Sequence, residues 1–122
     1  MLQNILSVGL GGAIGAVLRY LLGLIPLKNN SGFPWITFVI NVLGSFLIGI
    51  IAFSVLKSAP LSPRMVLFLK VGICGGFTTF STFSLESYQL FSSGKIGIAV
   101  AYMLASFVCG ILAVLCAAEL VK

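Results

Sequence analysis

The stretch Gly75-Gly76-Phe77-Thr78-Thr79-Phe80-Ser81-Thr82-Phe83 decides the fold. It lies in the middle of an apolar run long enough to cross a bilayer. Two glycines are followed by four hydroxyls set among three phenylalanines. Lipid offers no hydrogen bonds, so irregular backbone at that depth survives only inside protein or beside a water-filled path. The segment reads as the broken centre of a membrane helix, interrupted at Gly75-Gly76, where something polar or ionic crosses. The plainer reading is a kinked helix whose Ser and Thr bond back to their own carbonyls.

Composition agrees with a membrane protein. Of 122 residues, 60% are hydrophobic and 7% are charged, with a mean hydropathy of +1.23. A soluble domain carries about 25% charged residues, so this chain cannot clothe a globular surface and takes lipid as its solvent. Net charge is +5, but the seven basic residues are scattered. Nucleic-acid binding asks for a basic face or stripe, and Lys and Arg here read as membrane-edge residues. The chain has no His and no Asp, and its acids are Glu86 and Glu119. Acid–base or metal catalysis has almost no raw material, so the chain does not read as an enzyme. Cys74, Cys109 and Cys116 read as small buried hydrophobes. The N-terminus lacks the basic segment and cleavage pattern of a signal peptide.

Working outward, residues 1–122 read as a single all-α integral membrane domain of four spans. Span one runs from Ile5 to Leu27, with Pro26 marking its end. Lys28, Asn29, Asn30, Ser31, Gly32 and Pro34 form a loop, and Trp35 sits where an interfacial aromatic belongs. Span two runs from Ile36 to Leu56. Lys57, Ser58, Pro60, Ser62, Pro63 and Arg64 make the next turn. Span three runs from Met65 to Phe91, about 40 Å as a straight helix, longer than the ~30 Å hydrocarbon core. That excess fits an interruption. Span four runs from Ile96 to Ala118. Gly11/Gly15, Gly72/Gly76, Ala101/Ala105 and Ala113/Ala117 repeat the small-xxx-small spacing that lets membrane helices approach closely.

Polar residues inside the spans are the candidates for function. Arg19, near the far end of span one, either snorkels to the headgroups or faces an anion vestibule. Asn41 either bonds a neighbouring helix or aims its N–H groups at an anion. Ser45 lies one turn on. Phe80 and Phe83 share a face at i, i+3, and Thr78 and Thr79 stand where a second half-helix starts and needs a cap. Ring edges are weakly positive. Tyr102 and Ser106 offer hydroxyls at i, i+4. A break frees carbonyls at the end of one half-helix and N–H groups at the start of the next, and discontinuous membrane helices use such ends as ion sites.

Three motifs now carry a resemblance. They are Gly11-Gly12-Ala13-Ile14-Gly15-Ala16-Val17-Leu18-Arg19-Tyr20, Asn41-Val42-Leu43-Gly44-Ser45-Phe46, and Gly72-Ile73-Cys74-Gly75-Gly76-Phe77-Thr78-Thr79-Phe80-Ser81-Thr82-Phe83. Together they resemble the Fluc (CrcB) fluoride channels of microbes, across all four spans. The resemblance implies a fluoride-selective channel of the cell membrane that passively exports fluoride. It implies an antiparallel, dual-topology homodimer with two pores and a structural sodium ion at the dimer centre. It makes Phe80 and Phe83 the pore phenylalanines, Asn41 the pore asparagine, and Ser81 and Thr82 the hydroxyls of the third helix. Gly75 and Thr78 match positions whose carbonyls hold the sodium. Arg19 matches a vestibule arginine, and Tyr102 and Ser106 a polar track on the fourth helix. That track can include a further serine one turn on, where this chain has Gly110.

Charge balance fits dual topology. Lys57, Arg64, Lys70 and Lys122 fall toward the side bearing the termini, and Arg19, Lys28 and Lys95 toward the other. Four against three is a weak orientation signal. Two rivals fit less well. A small multidrug exporter wants a membrane-embedded carboxylate as proton carrier, but span one holds Arg19 and no acid, and Glu86 lies well past the break. A non-transporting assembly subunit would explain the glycine pairs but not a donor-lined break.

Overall fold

The structure, a computed structural model, describes residues 1–27, 31–57 and 61–122. Lys28, Asn29 and Asn30 of the first expected loop, and Ser58 and Pro60 of the second, lie outside the described residues. Among the described residues, regular structure is helical throughout. Four helical stretches are long and apolar enough to cross a membrane.

Helix α1 spans Leu2–Gly23, so it starts three residues earlier and ends four earlier than the expected Ile5–Leu27. Its end has a local cause. Leu24 and Ile25 donate to Leu21 and Leu22, both at 3.1 Å, which tightens the last turn. Pro26 then pushes the residue before it out of the α region. Helix α2 spans Trp35–Leu56. Trp35 packs on Phe33 with ring centroids 4.4 Å apart.

The third span, Pro63–Ser92, is not one helix. Ser62 caps its start by accepting from the Met65 N–H at 3.1 Å, and Pro63 occupies the first turn, where its missing N–H costs nothing. After α3 (Pro63–Val66) the chain winds as a π-helix over Leu67–Cys74, then as α4 (Gly75–Phe77). The break follows at Thr78 (ψ 158°) and Thr79 (φ −149°, ψ 117°), and α5 covers Phe80–Ser92. The interruption therefore sits at Thr78-Thr79, not at Gly75-Gly76. Gly75 is helical, with φ −65° and ψ −39°. At the end of α5, the Lys95 N–H reaches the Leu90 carbonyl at 2.9 Å and the Gly94 N–H reaches Phe91 at 3.1 Å. This Schellman turn needs the positive φ that Gly94 adopts at 83°. Helix α6 spans Ile96–Val121, three residues past the expected end.

The glycines packed on α1 have a job other than loosening the helix. A Cβ at Gly72 would lie 2.8 Å from the Gly11 Cα, and one at Gly76 would lie 3.0 Å from the Gly12 Cα. Backbone thus meets backbone between α1 and the first half of the third span. On the other side, α2 runs along α6, where Gly49 faces Ala117 and Val114. Ala113 and Ala117 are buried as expected. Ala101 is exposed and Ala105 only half-buried. Cys74 is buried, but Cys109 is half-buried and Cys116 exposed, which corrects the reading of all three as buried. A small core joins Phe83, Leu90, Ala99 and Tyr102. Large apolar side chains such as Leu10, Leu43 and Leu104 stay exposed, as lipid-facing residues do.

Candidate functional site

The break collects the polar side chains of three helices. Asn41, on α2, clasps Thr79 with both ends of its amide. Its Nδ2 donates to the Thr79 carbonyl at 3.0 Å, and its Oδ1 accepts from the Thr79 N–H at 2.8 Å. The interhelical bond therefore exists, and one Nδ2 hydrogen remains beyond it. Thr79 caps α5, its Oγ1 accepting from the Thr82 N–H at 3.2 Å. Ser81 Oγ lies 3.4 Å from Thr79 Oγ1.

These bonds leave particular carbonyls without their ordinary helical donors. The Thr79 N–H, four residues past Gly75, is turned to Asn41. The Thr82 N–H, four residues past Thr78, is turned to a side chain. Gly75 and Thr78 line a cavity of about 310 Å³ together with Asn41, Ser45, Thr79 and Phe80, and every group lining it is neutral or apolar.

Arg19 lies near the end of α1, as the sequence indicated, and its side chain is engaged by the protein. Its Nε donates to the Gly76 carbonyl at 3.1 Å. The guanidinium thus serves a carbonyl next to the break and borders a second cavity, of about 280 Å³, with Thr37, Thr79 and Thr82.

Phe80 and Phe83 of α5 touch, with centroids 5.8 Å apart, but live differently. Phe83 is buried, its ring 5.0 Å from Tyr102 and 5.9 Å from Phe107. Phe80 is 74% exposed. Tyr102 is wholly buried, and its hydroxyl is committed, donating to Glu86 Oε1 at 2.9 Å. The other carboxylate oxygen accepts from Thr37 Oγ1 at 3.1 Å. Thr37, Glu86 and Tyr102 therefore join α2, α5 and α6 in one cluster. Ser106 shares the buried side of α6, and its Oγ has no partner among the described residues.

Sequence reasoning missed Thr37 and gave Glu86 no part. One signal was available: an ionisable residue inside a span is a functional candidate by default. The plainer reading of the hydroxyls also holds in part. Thr78, Ser84 and Ser87 each donate to the carbonyl four residues back. They do so on either side of a true break.

Fold and site together define a small multi-pass membrane protein, with a discontinuous third helix and neutral donors gathered at the discontinuity. The comparisons make the class particular. Residues 6–118 match the family described as CrcB-like protein, Camphor Resistance (CrcB), and the chain belongs to that family. It is 47% identical over 112 residues to the fluoride-specific ion channel FluC of Agrobacterium fabrum, covering 91% of this chain and 90% of that protein. It is 44% identical over 122 residues to that of Rhizobium meliloti, covering 99% and 98%. Against that of Shewanella halifaxensis it is 51% identical over 96 residues, covering 78% and 77%.

Proposed function

We propose that this protein is a fluoride-selective channel of the cell membrane that lets fluoride leave the cell passively. The observation that carries the reading is the neutral donor set at Thr78-Thr79, next to Phe80 and Phe83, in a chain whose relatives are fluoride-specific channels. Fluoride is small and tightly hydrated, so a pore must replace its water with donors. Asn41, Ser81, Thr82 and Ser106 supply neutral donors, and the ring edges of Phe80 and Phe83 add weak positive potential. Neutral donors hold the ion loosely enough to release it, which conduction requires. Arg19 draws anions toward this path. Hydrogen fluoride enters a cell as a neutral acid and ionises there, and the negative membrane potential drives the anion out through a passive pore.

The pore needs a second copy. Phe80 projects away from its own chain at 74% exposure, so one chain does not enclose the Phe80–Phe83 face. An antiparallel dual-topology homodimer closes it twice, giving two equivalent pores by two-fold symmetry. The same reading puts a structural sodium ion at the dimer centre, held by the carbonyls of Gly75 and Thr78. Two observations fit: the usual donors to both carbonyls are turned elsewhere, and hard cations take oxygen ligands. Held by those carbonyls, sodium would supply charge that joins the two broken helices.

The deciding experiment is efflux from liposomes holding the purified protein. A fluoride electrode registers rapid release while chloride stays trapped. Release of neither ion, or of both alike, ends the proposal. Single cysteines replacing Asn30 or Lys122, in a background lacking Cys74, Cys109 and Cys116, test the topology. Each labels from both sides of the membrane if insertion is dual, and from one side only if it is not.

A further inference from the structure

Helix α1 meets the third span at bare backbone, where a Cβ on Gly11 would lie 2.9 Å from the Gly72 Cα. Toward its start, the same face of α1 carries Ser7 and then Asn4. There the two elements enclose a cavity of about 590 Å³, the size of a small-ligand pocket. Asn4 and Ser7 line it from α1, Ser62 and Arg64 from the start of the third span, and Met65 and Phe68 add apolar wall. Leu2 and Pro63 are the first residues of the two spans, so the cavity sits at the membrane edge.

Its polar lining is rich in donors. Arg64 carries the one formal charge among the lining residues. Its Nη2 donates to Gln3 Oε1, which ties the guanidinium to α1 and leaves four further N–H groups. Ser62 Oγ accepts from the Met65 N–H, so its own proton is still to be donated. Ser7 adds a hydroxyl and Asn4 an amide. No acid balances them, for Glu86 is bonded to Thr37 and Tyr102, and Glu119 to Lys122.

Such a lining suits an anion, and its place selects which. A planar guanidinium matches phosphate oxygens in pairs. Lipid phosphates lie in the headgroup layer, at the edge of the hydrocarbon core. Met65, 44% exposed, gives the glyceride end of a lipid an apolar seat. A headgroup bearing an ammonium would set a cation beside Arg64 with no carboxylate to meet it. We propose that the cavity between α1 and the start of the third span binds an anionic phospholipid, its phosphate on Arg64 and Ser62 and its headgroup beside Asn4 and Ser7. The site shares no residue with the break, so it stands or falls apart from the fluoride reading.

The test is native mass spectrometry of the purified protein mixed with equal amounts of phosphatidylglycerol and phosphatidylcholine. The wild type should keep phosphatidylglycerol in preference. Arg64→Gln should lower that retention about tenfold. Arg64→Lys keeps the charge but loses the paired bonds, and should fall between the two. Ser7→Leu fills the cavity at unchanged charge and should shed the lipid too. Lys122→Gln removes a cation from the same membrane edge and should change nothing. Equal retention of both lipids by the wild type, or equal losses in Arg64→Gln and Lys122→Gln, means unspecific charge attraction and overturns the proposal. Displacement of the lipid by excess inorganic phosphate, which would make this a site for a free anion, overturns it as well. So does a crystal structure with a second copy of this chain filling the cavity.

Discussion

The two halves of the third span are held in opposite ways. The first half, the π-helix and α4, lies backbone to backbone against α1, with Gly72 and Gly76 facing Gly11 and Gly12. The second half, α5, is held by side chains. Asn41 grips its start, Glu86 reaches Thr37 and Tyr102, and Phe83 stacks on Tyr102. In lipid, apolar surface gives helices little reason to associate, so close packing and polar bonds do that work. Where it meets α1 the first half tolerates no added atom, and where Asn41 grips it the second tolerates no missing one.

The sharpest break of that comparison is Gly76→Val. Its Cβ would meet the Gly12 backbone, which cannot swing aside. Overpacking should cost about 3 kcal/mol or more, and the folded peak on size-exclusion chromatography should vanish. Next comes Asn41→Leu. It strands the N–H and the carbonyl of Thr79, a loss of about 3 kcal/mol, and fluoride efflux should stop. Recovery of full efflux would detach Asn41 from the pore.

The phenylalanines separate packing from conduction. Phe83→Ile, at a buried site, should cost about 1.5 kcal/mol and abolish efflux. Phe80→Ile, at an exposed one, should change stability by less than about 0.5 kcal/mol, yet also abolish efflux. Wild-type conduction in both variants would mean that the pore face lies elsewhere. The smallest effect belongs to Gly75→Ala, one residue from the most sensitive glycine. A Cβ there meets nothing within 4 Å, so melting should hold or rise by about 0.5 kcal/mol. A large loss would show that Gly75 is packed as Gly76 is.

Much of this was legible in the sequence, for reasons that differ by residue. The spans announced themselves because twenty apolar residues have few other uses. Their ends were less clear, since Pro26 acts through Ile25 and the turn before it. Gly75-Gly76 marked the right neighbourhood and the wrong atoms. A glycine that permits a bend and one that permits contact look alike in sequence, and only the position of α1 tells them apart. Thr79 as a cap was readable from local chemistry. The Thr37–Glu86–Tyr102 cluster was not, because its members are separated by up to 65 positions and meet only once three helices are in register. Arg19 was seen, but its bond to the Gly76 carbonyl depends on that same packing.

The hydroxyls that bond four residues back bear on how the chain enters the membrane. Such a bond lies within one turn, so it forms as soon as the helix does. Helix α5 can therefore carry Ser84 and Ser87 into the bilayer already satisfied, before any other span is in place. Asn41 has no such provision. Its partner Thr79 is 38 positions downstream, so α2 must cross the bilayer with its amide unpaired and await the third span. The strongly apolar sequence around Asn41 offsets that cost, and the final clasp makes early insertion of α2 hard to reverse.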